Sequence, residues 1–186
     1  VIFAYPNLFT DASTLQVIRL EIGALAGWTP AELVDIVPYA AEQYPQLFKQ
    51  KEVSVLTVAP ERTFWEKATI LHHEANRPEH LLMPQRYSRH YYDLYCMAKS
   101  PIKEKAFEQL DLLQKVVDFK MKFYPRGWAR YPEAVPATLK LLPPSYRMGA
   151  LQEDYSAMRN MLYGEIPTFE TIMETVGELE KEINTL

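Results

Sequence analysis

The chain has 186 residues, 48% hydrophobic and 24% charged, the proportions of one ordinary globular domain large enough for a real core. Its formal net charge of −4 argues against a wholly basic nucleic-acid binder, and no apolar run approaches the roughly 18 residues of a membrane span. A single cysteine, Cys96, excludes an intrachain disulfide and fits a reducing cytoplasm; no signal-peptide pattern precedes the first apolar segment.

In chain order, Val1–Ala4 is a short apolar strand broken by the turn Tyr5-Pro6-Asn7. A start at Val inside an apolar run reads as the interior of a longer polypeptide. Leu15–Ile22 alternates, with Val17, Arg19 and Glu21 on one face and Ile18, Leu20 and Ile22 on the other, which predicts a half-buried strand. Glu21 is then either a solvated carboxylate or a metal ligand at a strand end. Thr29-Pro30-Ala31-Glu32 has the form of a capping box and predicts a short helix ended by Pro38. Tyr39–Phe48 reads as extended, and the β-branched run Val53–Val58 as the best strand in the chain.

Pro60 opens a helix whose core stripe is Phe64, Ala68, Leu71 and Ala75. Lys67 is one position off that stripe, so its ammonium emerges at the edge of the core. His72 and His73 diverge by about 100° around a helix and cannot share a metal, and they read as a boundary pair. No zinc-type His or Cys spacing occurs. Pro84 opens a second helix, running to about Lys99, in which Arg86, His90 and Asp93 at i, i+4, i+7 share a face. An Arg89–Asp93 surface ion pair is the plain alternative for those charges.

Ile102–Tyr124 reads as one long amphipathic helix with Ala106, Leu110, Leu113, Val117, Met121 and Tyr124 on one face. The window Lys120–Tyr131 has four bases and no acids among aromatics, which suits RNA binding through Lys120, Lys122, Arg126, Trp128 and Arg130; aromatics capping the core beneath solvated bases are the duller reading. Pro132–Pro144 is irregular. Tyr146–Leu162 reads as a helix ended by Gly164. A last helix from Pro167 or Thr168 faces Phe169, Ile172, Met173, Val176, Leu179 and Ile183 inward. Residues 165–186 carry six acids and one base, which leaves the remainder near neutral. The fold class expected is α+β, predominantly α-helical: a strand-rich part over 1–58 and a helical part over 59–186, packed as one unit.

Three separated motifs resemble the AbiEii/AbiGii toxin family of bacterial nucleotidyltransferases. They are Glu61-Arg62-Thr63-Phe64-Trp65-Glu66-Lys67 followed by Arg89-x3-Asp93-Leu94-Tyr95; Asp154-Tyr155-x2-Met158-x2-Met161-x2-Gly164-Glu165-x-Pro167-x-Phe169; and Arg19-Leu20-Glu21-Ile22-Gly23. The resemblance implies a nucleotidyltransferase-like fold that uses a nucleoside triphosphate with magnesium. It further implies transfer of a nucleotide to RNA, notably tRNA, under restraint by a cognate antitoxin. It assigns the triphosphate to Lys67, a required carboxylate to Asp93 and a third carboxylate of the metal site to Glu21; Arg62, Arg86, Arg89 and His90 are the candidate nucleotide-binding residues around Lys67, with the role of His90 open. Arg89-His90 stands where the family often has Arg-Asp. The family's opening signature is absent, because no glycine precedes Gly or Ser and no Asp-x-Asp occurs. The chain is therefore expected to be the C-terminal portion of a longer enzyme, inactive alone for want of a complete metal site. Two other readings stay open: a non-catalytic helical module that binds RNA or an antitoxin, and a remnant in which Lys67 and Asp93 form a structural ion pair.

Overall fold

The computed structural model describes residues 1–6, 17–23, 27 and 29–186. It is an α+β fold, predominantly helical, with two small antiparallel sheets. No helix of the described residues is long and apolar enough to cross a membrane.

Strand β1 (Ile2–Ala4) pairs with β2 (Val17–Arg19), and β3 (Ala31–Ile36) with β4 (Val53–Val58). β2 is shorter than expected; Leu15, Gln16 and Trp28 lie outside the described residues. Its apolar face is also uncovered, with Ile18 56%, Leu20 47% and Ile22 83% exposed, because a two-stranded sheet supplies no second layer.

The helix expected from the capping box at Thr29 is instead β3. Between Pro30 and Pro38 there is room for only two helical turns, too few to hold without tertiary support. Val34 and Ile36 favour a strand, and β4 supplies its ladder in the register Leu33↔Leu56, Val34↔Val55. The segment expected to be extended forms helix α1 (Tyr39–Gln43) and a 3₁₀ turn at Pro45–Leu47. Ala40 to Gln43 are sound helix formers, and the Pro38 carbonyl accepts from the Ala41 and Glu42 amides.

Helix α2 (Pro60–Ala75) is the centre of the helical body and packs on α3 (Ser88–Ala98), α4 (Ile102–Phe107) and α5 (Leu110–Phe123). Its stripe of Phe64, Ala68 and Leu71 is buried as expected, but so are Trp65, Thr69, His72, His73 and Glu74. The Trp65 indole donates to the Ala106 carbonyl at 3.1 Å, tying α2 to α4. α4 and α5 replace the single long helix. The backbone leaves helical angles at Gln109 (φ −124°, ψ 54°), and the turn this introduces brings Leu112 and Val116 inward with Leu113 and Val117, while Met121 and Tyr124 stay exposed.

Helix α3 starts four residues later than Pro84 suggests. Asp154 on α6 (Met148–Ala157) takes over its N-terminus: Oδ1 accepts from the Arg86 amide at 2.6 Å, and Oδ2 from the Ser88 amide at 2.9 Å and the Ser88 hydroxyl. This is a cap delivered from another helix. α6 is also shorter than expected, and Gly164 sits in a turn beyond it at φ +74°. The last helix, α7 (Phe169–Ile183), opens at Thr168, whose hydroxyl accepts from the Thr171 amide. All six residues expected to face inward on α7 are buried. Glu180 accepts from the Leu141 and Leu142 amides and pins the irregular segment before α6.

His72 and His73 are not at a boundary; they are 0% and 8% exposed. His72 Nδ1 accepts from the Lys140 amide at 3.0 Å, so Nε2 carries the proton it donates to the Arg130 carbonyl at 3.1 Å. That geometry requires a neutral ring. Burial lowers the pKa of both histidines, that of His73 to about 3 with Arg77 and Arg126 adding to it.

Two outcomes are expected. Asp154→Ala leaves the Arg86 and Ser88 donors without their acceptor and lowers stability by about 1–2 kcal/mol, read as a fall in Tm by circular dichroism. Unfolding takes up protons at the buried histidines wherever the pH is below about 6.5. Stability is therefore full above that pH and declines as pH falls towards 3, and in His73→Phe the decline measured by urea titration is shallower.

Candidate functional site

The helix pair α2–α3 brings Lys67, His90 and Asp93 together. Lys67 Nζ donates to Asp93 Oδ2 at 2.6 Å and to His90 Nδ1 at 3.2 Å. An ammonium has only protons to give, so Nδ1 is an acceptor and the His90 ring is neutral with its proton on Nε2. Burial, with Lys67 and Arg89 adding to it, holds the His90 pKa down at about 3. His90 is thus a neutral, buried rest for the lysine. The Lys67 and Asp93 side chains remain 21% and 37% exposed, open to an incoming ligand. The Arg89–Asp93 surface pair does not form; Asp93 pairs with Lys67 instead.

The other sequence-selected residues separate into those beside this pair and those away from it. Arg89 is exposed on α3. Arg86 is exposed and precedes α3 at φ 63°, so the face predicted for Arg86, His90 and Asp93 reduces to His90 and Asp93, one turn apart. Arg62 is 4% exposed and committed: Nε donates to Glu66 Oε1 at 3.0 Å and Nη1 to the Thr29 carbonyl at 2.7 Å. A Cβ at Gly27 would fall 1.9 Å from the Arg62 Nη2, so a larger residue there would displace the guanidinium. Glu21 is exposed beyond the end of β2. Among the described residues no group of three or more His, Cys, Asp or Glu is placed to hold a metal ion. The described residues therefore supply no cluster of hard oxygen ligands of their own, and Asp93 offers one carboxylate beside Lys67.

The basic window also divides. Lys122, Arg126 and Arg130 are exposed, and Arg126 and Arg130 edge a cleft of about 310 Å³ with Met121, Pro125, Gly127, Tyr131 and Pro132. The Trp128 ring is engaged within the protein by Arg77 (4.8 Å), Arg126 (5.8 Å) and the His73 ring (4.6 Å). Arg77 in turn forms a two-pronged ion pair with Glu74 at 2.7 and 2.8 Å. Lys120 is half-buried, unlike its exposed neighbours; its ammonium turns onto α2 and donates to the Glu66 carbonyl at 3.1 Å.

Sequence reasoning missed Asp154, which positions the start of the helix bearing His90 and Asp93. Its place at the head of the C-terminal motif was the available signal.

No curated protein and no solved structure matches the chain. Residues 1–175 match the family described as nucleotidyl transferase AbiEii toxin, Type IV TA system. With all but the last 11 of its 186 residues matched, the chain belongs to the AbiEii family of nucleotidyl transferase toxins of type IV toxin–antitoxin systems.

Proposed function

We propose that this protein acts in the cytoplasm as a toxin that transfers a nucleotide from a nucleoside triphosphate to RNA, with tRNA as the acceptor and a cognate antitoxin as its restraint. The division into a strand-rich part over 1–58 and a helical part over 59–186 belongs to the same reading. The observation that carries it is the Lys67–Asp93–His90 cluster, contributed by the two helices that bear the family's central motif. Lys67 receives the triphosphate: a compact, hydrated charge on a flexible stem exchanges one oxyanion for another at little cost. When it leaves Asp93 for a phosphate oxygen, the carboxylate is released at the place where the phosphate chain now lies. His90, neutral throughout, keeps the lysine aimed by accepting a hydrogen bond from it at Nδ1. Arg89, exposed on the same helix, is placed to add a second charge at the rim. The family in general works with a nucleoside triphosphate and a divalent metal.

A second reading, a non-catalytic module that grips RNA, is favoured by the exposed bases Lys122, Arg126 and Arg130 and the cleft that two of them edge. It predicts salt-sensitive RNA affinity that weakens when Arg126 and Arg130 are replaced.

A partly exposed ion pair contributes about 1 kcal/mol or less, so Lys67→Ala should leave Tm nearly unchanged. In the native protein the same substitution should reduce transfer of labelled nucleotide to tRNA at least about a hundredfold, since it removes a charge from the reacting triphosphate. Retained transfer with a large fall in Tm would make the pair structural and end the catalytic reading.

A further inference from the structure

Lys120 comes from α5, 53 positions beyond Lys67, and the α2–α5 packing sets its ammonium beside the candidate site. Its recorded partner is the Glu66 carbonyl, which already accepts from the Thr69 hydroxyl at 3.0 Å. Among the described residues no carboxylate lies within 4.0 Å of it. The nearest in position, Glu66, is spent on Arg62, and Asp93 is spent on Lys67. Three basic side chains, Arg62, Lys67 and Lys120, therefore share this corner with two carboxylates, and Lys120 lacks an ion-pair partner among the described residues. A half-buried ammonium without an ion-pair partner is costly, and groups perturbed in this way cluster at binding and catalytic sites.

We propose that Lys120 is a second cation of the phosphate pocket, taking an oxygen of the nucleoside triphosphate alongside Lys67 rather than an RNA backbone phosphate. This rests on the reading that Lys67 receives the triphosphate. It also gives the site a dependence on pH. Burial, together with Lys67 and Arg62 and against Glu66, pushes the Lys120 ammonium down to about 7. The charged groups around it are Arg62, Glu66, Lys67 and, further along α2, His73; from α3, His90 faces it, and Asp93 acts through Lys67. Both histidines are neutral over the range concerned, leaving Lys120 as the group that changes charge near neutrality. An anion binds the charged form, so Lys120's contribution is full below about pH 7 and fades above it.

The test is calorimetric titration of the chain with inorganic tripolyphosphate at pH 6.0 and 8.5, using Lys120→Met, Lys120→Arg and Lys67→Ala. At pH 6.0 Lys120→Met is expected to bind about tenfold or more weakly than wild type. Lys120→Arg, charged at every pH, should match wild type at pH 6.0 and exceed it by about tenfold at pH 8.5; this comparison cancels the ionisation of tripolyphosphate itself. Lys120→Met replaces a sunken charge with a thioether and should raise Tm at pH 7, so a loss of affinity is not a loss of fold. Equal binding by wild type and Lys120→Met overturns the proposal while leaving Lys67 in place. Weaker binding of a single-stranded RNA oligonucleotide by Lys120→Met, with tripolyphosphate binding untouched, also overturns it, in favour of an RNA contact. Failure of wild type to bind, or equal binding by Lys67→Ala, refutes the underlying triphosphate reading and this proposal with it.

Discussion

Helix Pro60–Ala75 is enclosed by three other helices, yet its sequence carries Arg62, Glu66, Lys67, Thr69, His72, His73 and Glu74. A buried polar group must find a partner or cost a few kcal/mol, and that constraint organises the molecule. Most of these side chains find one: Arg62 bonds Thr29 and Glu66, Thr69 bonds Trp65 one turn earlier, Glu74 pairs with Arg77 at the helix end, and His72 reaches forward to Arg130 and Lys140, while His73 Nε2 makes no hydrogen bond. Lys67 reaches across to His90 and Asp93. Tertiary structure around this helix is largely the set of answers to those demands. In the Lys67–Asp93 pair both charged side chains keep some exposure, whereas Arg62 and both members of the Glu74–Arg77 pair are buried.

The same corner shows how charge is graded by depth. His90 is buried and stays neutral, Lys120 is sunken and titrates near neutrality, and Lys67 lies at the edge beside a carboxylate. Three basic side chains within one junction thus stand as a neutral acceptor, a half-buried cation with its pKa held low, and an ion-paired cation. Desolvation separates their roles more than side-chain identity does.

The helical half was legible where periodicity was long and backed by local signals. The apolar stripe at Phe64, Ala68 and Leu71 and the Thr168-capped last helix both follow from 3.6-residue spacing and cap chemistry. Legibility failed where partners distant in sequence decide. The Thr29–Glu32 pattern satisfies a capping box, but a strand more than twenty residues away offered Ala31–Ile36 a full ladder. Arg86 has helical spacing to His90, but Asp154, 68 residues on, captures its amide and holds it off the helix. The site was legible for the Lys67 and Asp93 pair because two motifs marked it. The burial of Lys120 was not, since a window of bases and aromatics looks the same in sequence whichever way one lysine turns.

The β3–β4 hairpin is secured at one end. At its root the Ala59 amide donates to the Pro30 carbonyl, Arg62 holds Thr29, and only Ala31, Thr57 and Val58 of the two strands are even partly covered. Towards its tip Leu33, Ile36, Val53 and Leu56 stand open to water. Local opening should therefore run from tip to root, with amide protons exchanging in that order and the guanidinium of Arg62 as the last latch to release. The ribbon can fray like an unhemmed edge while the helical body below it keeps its shape.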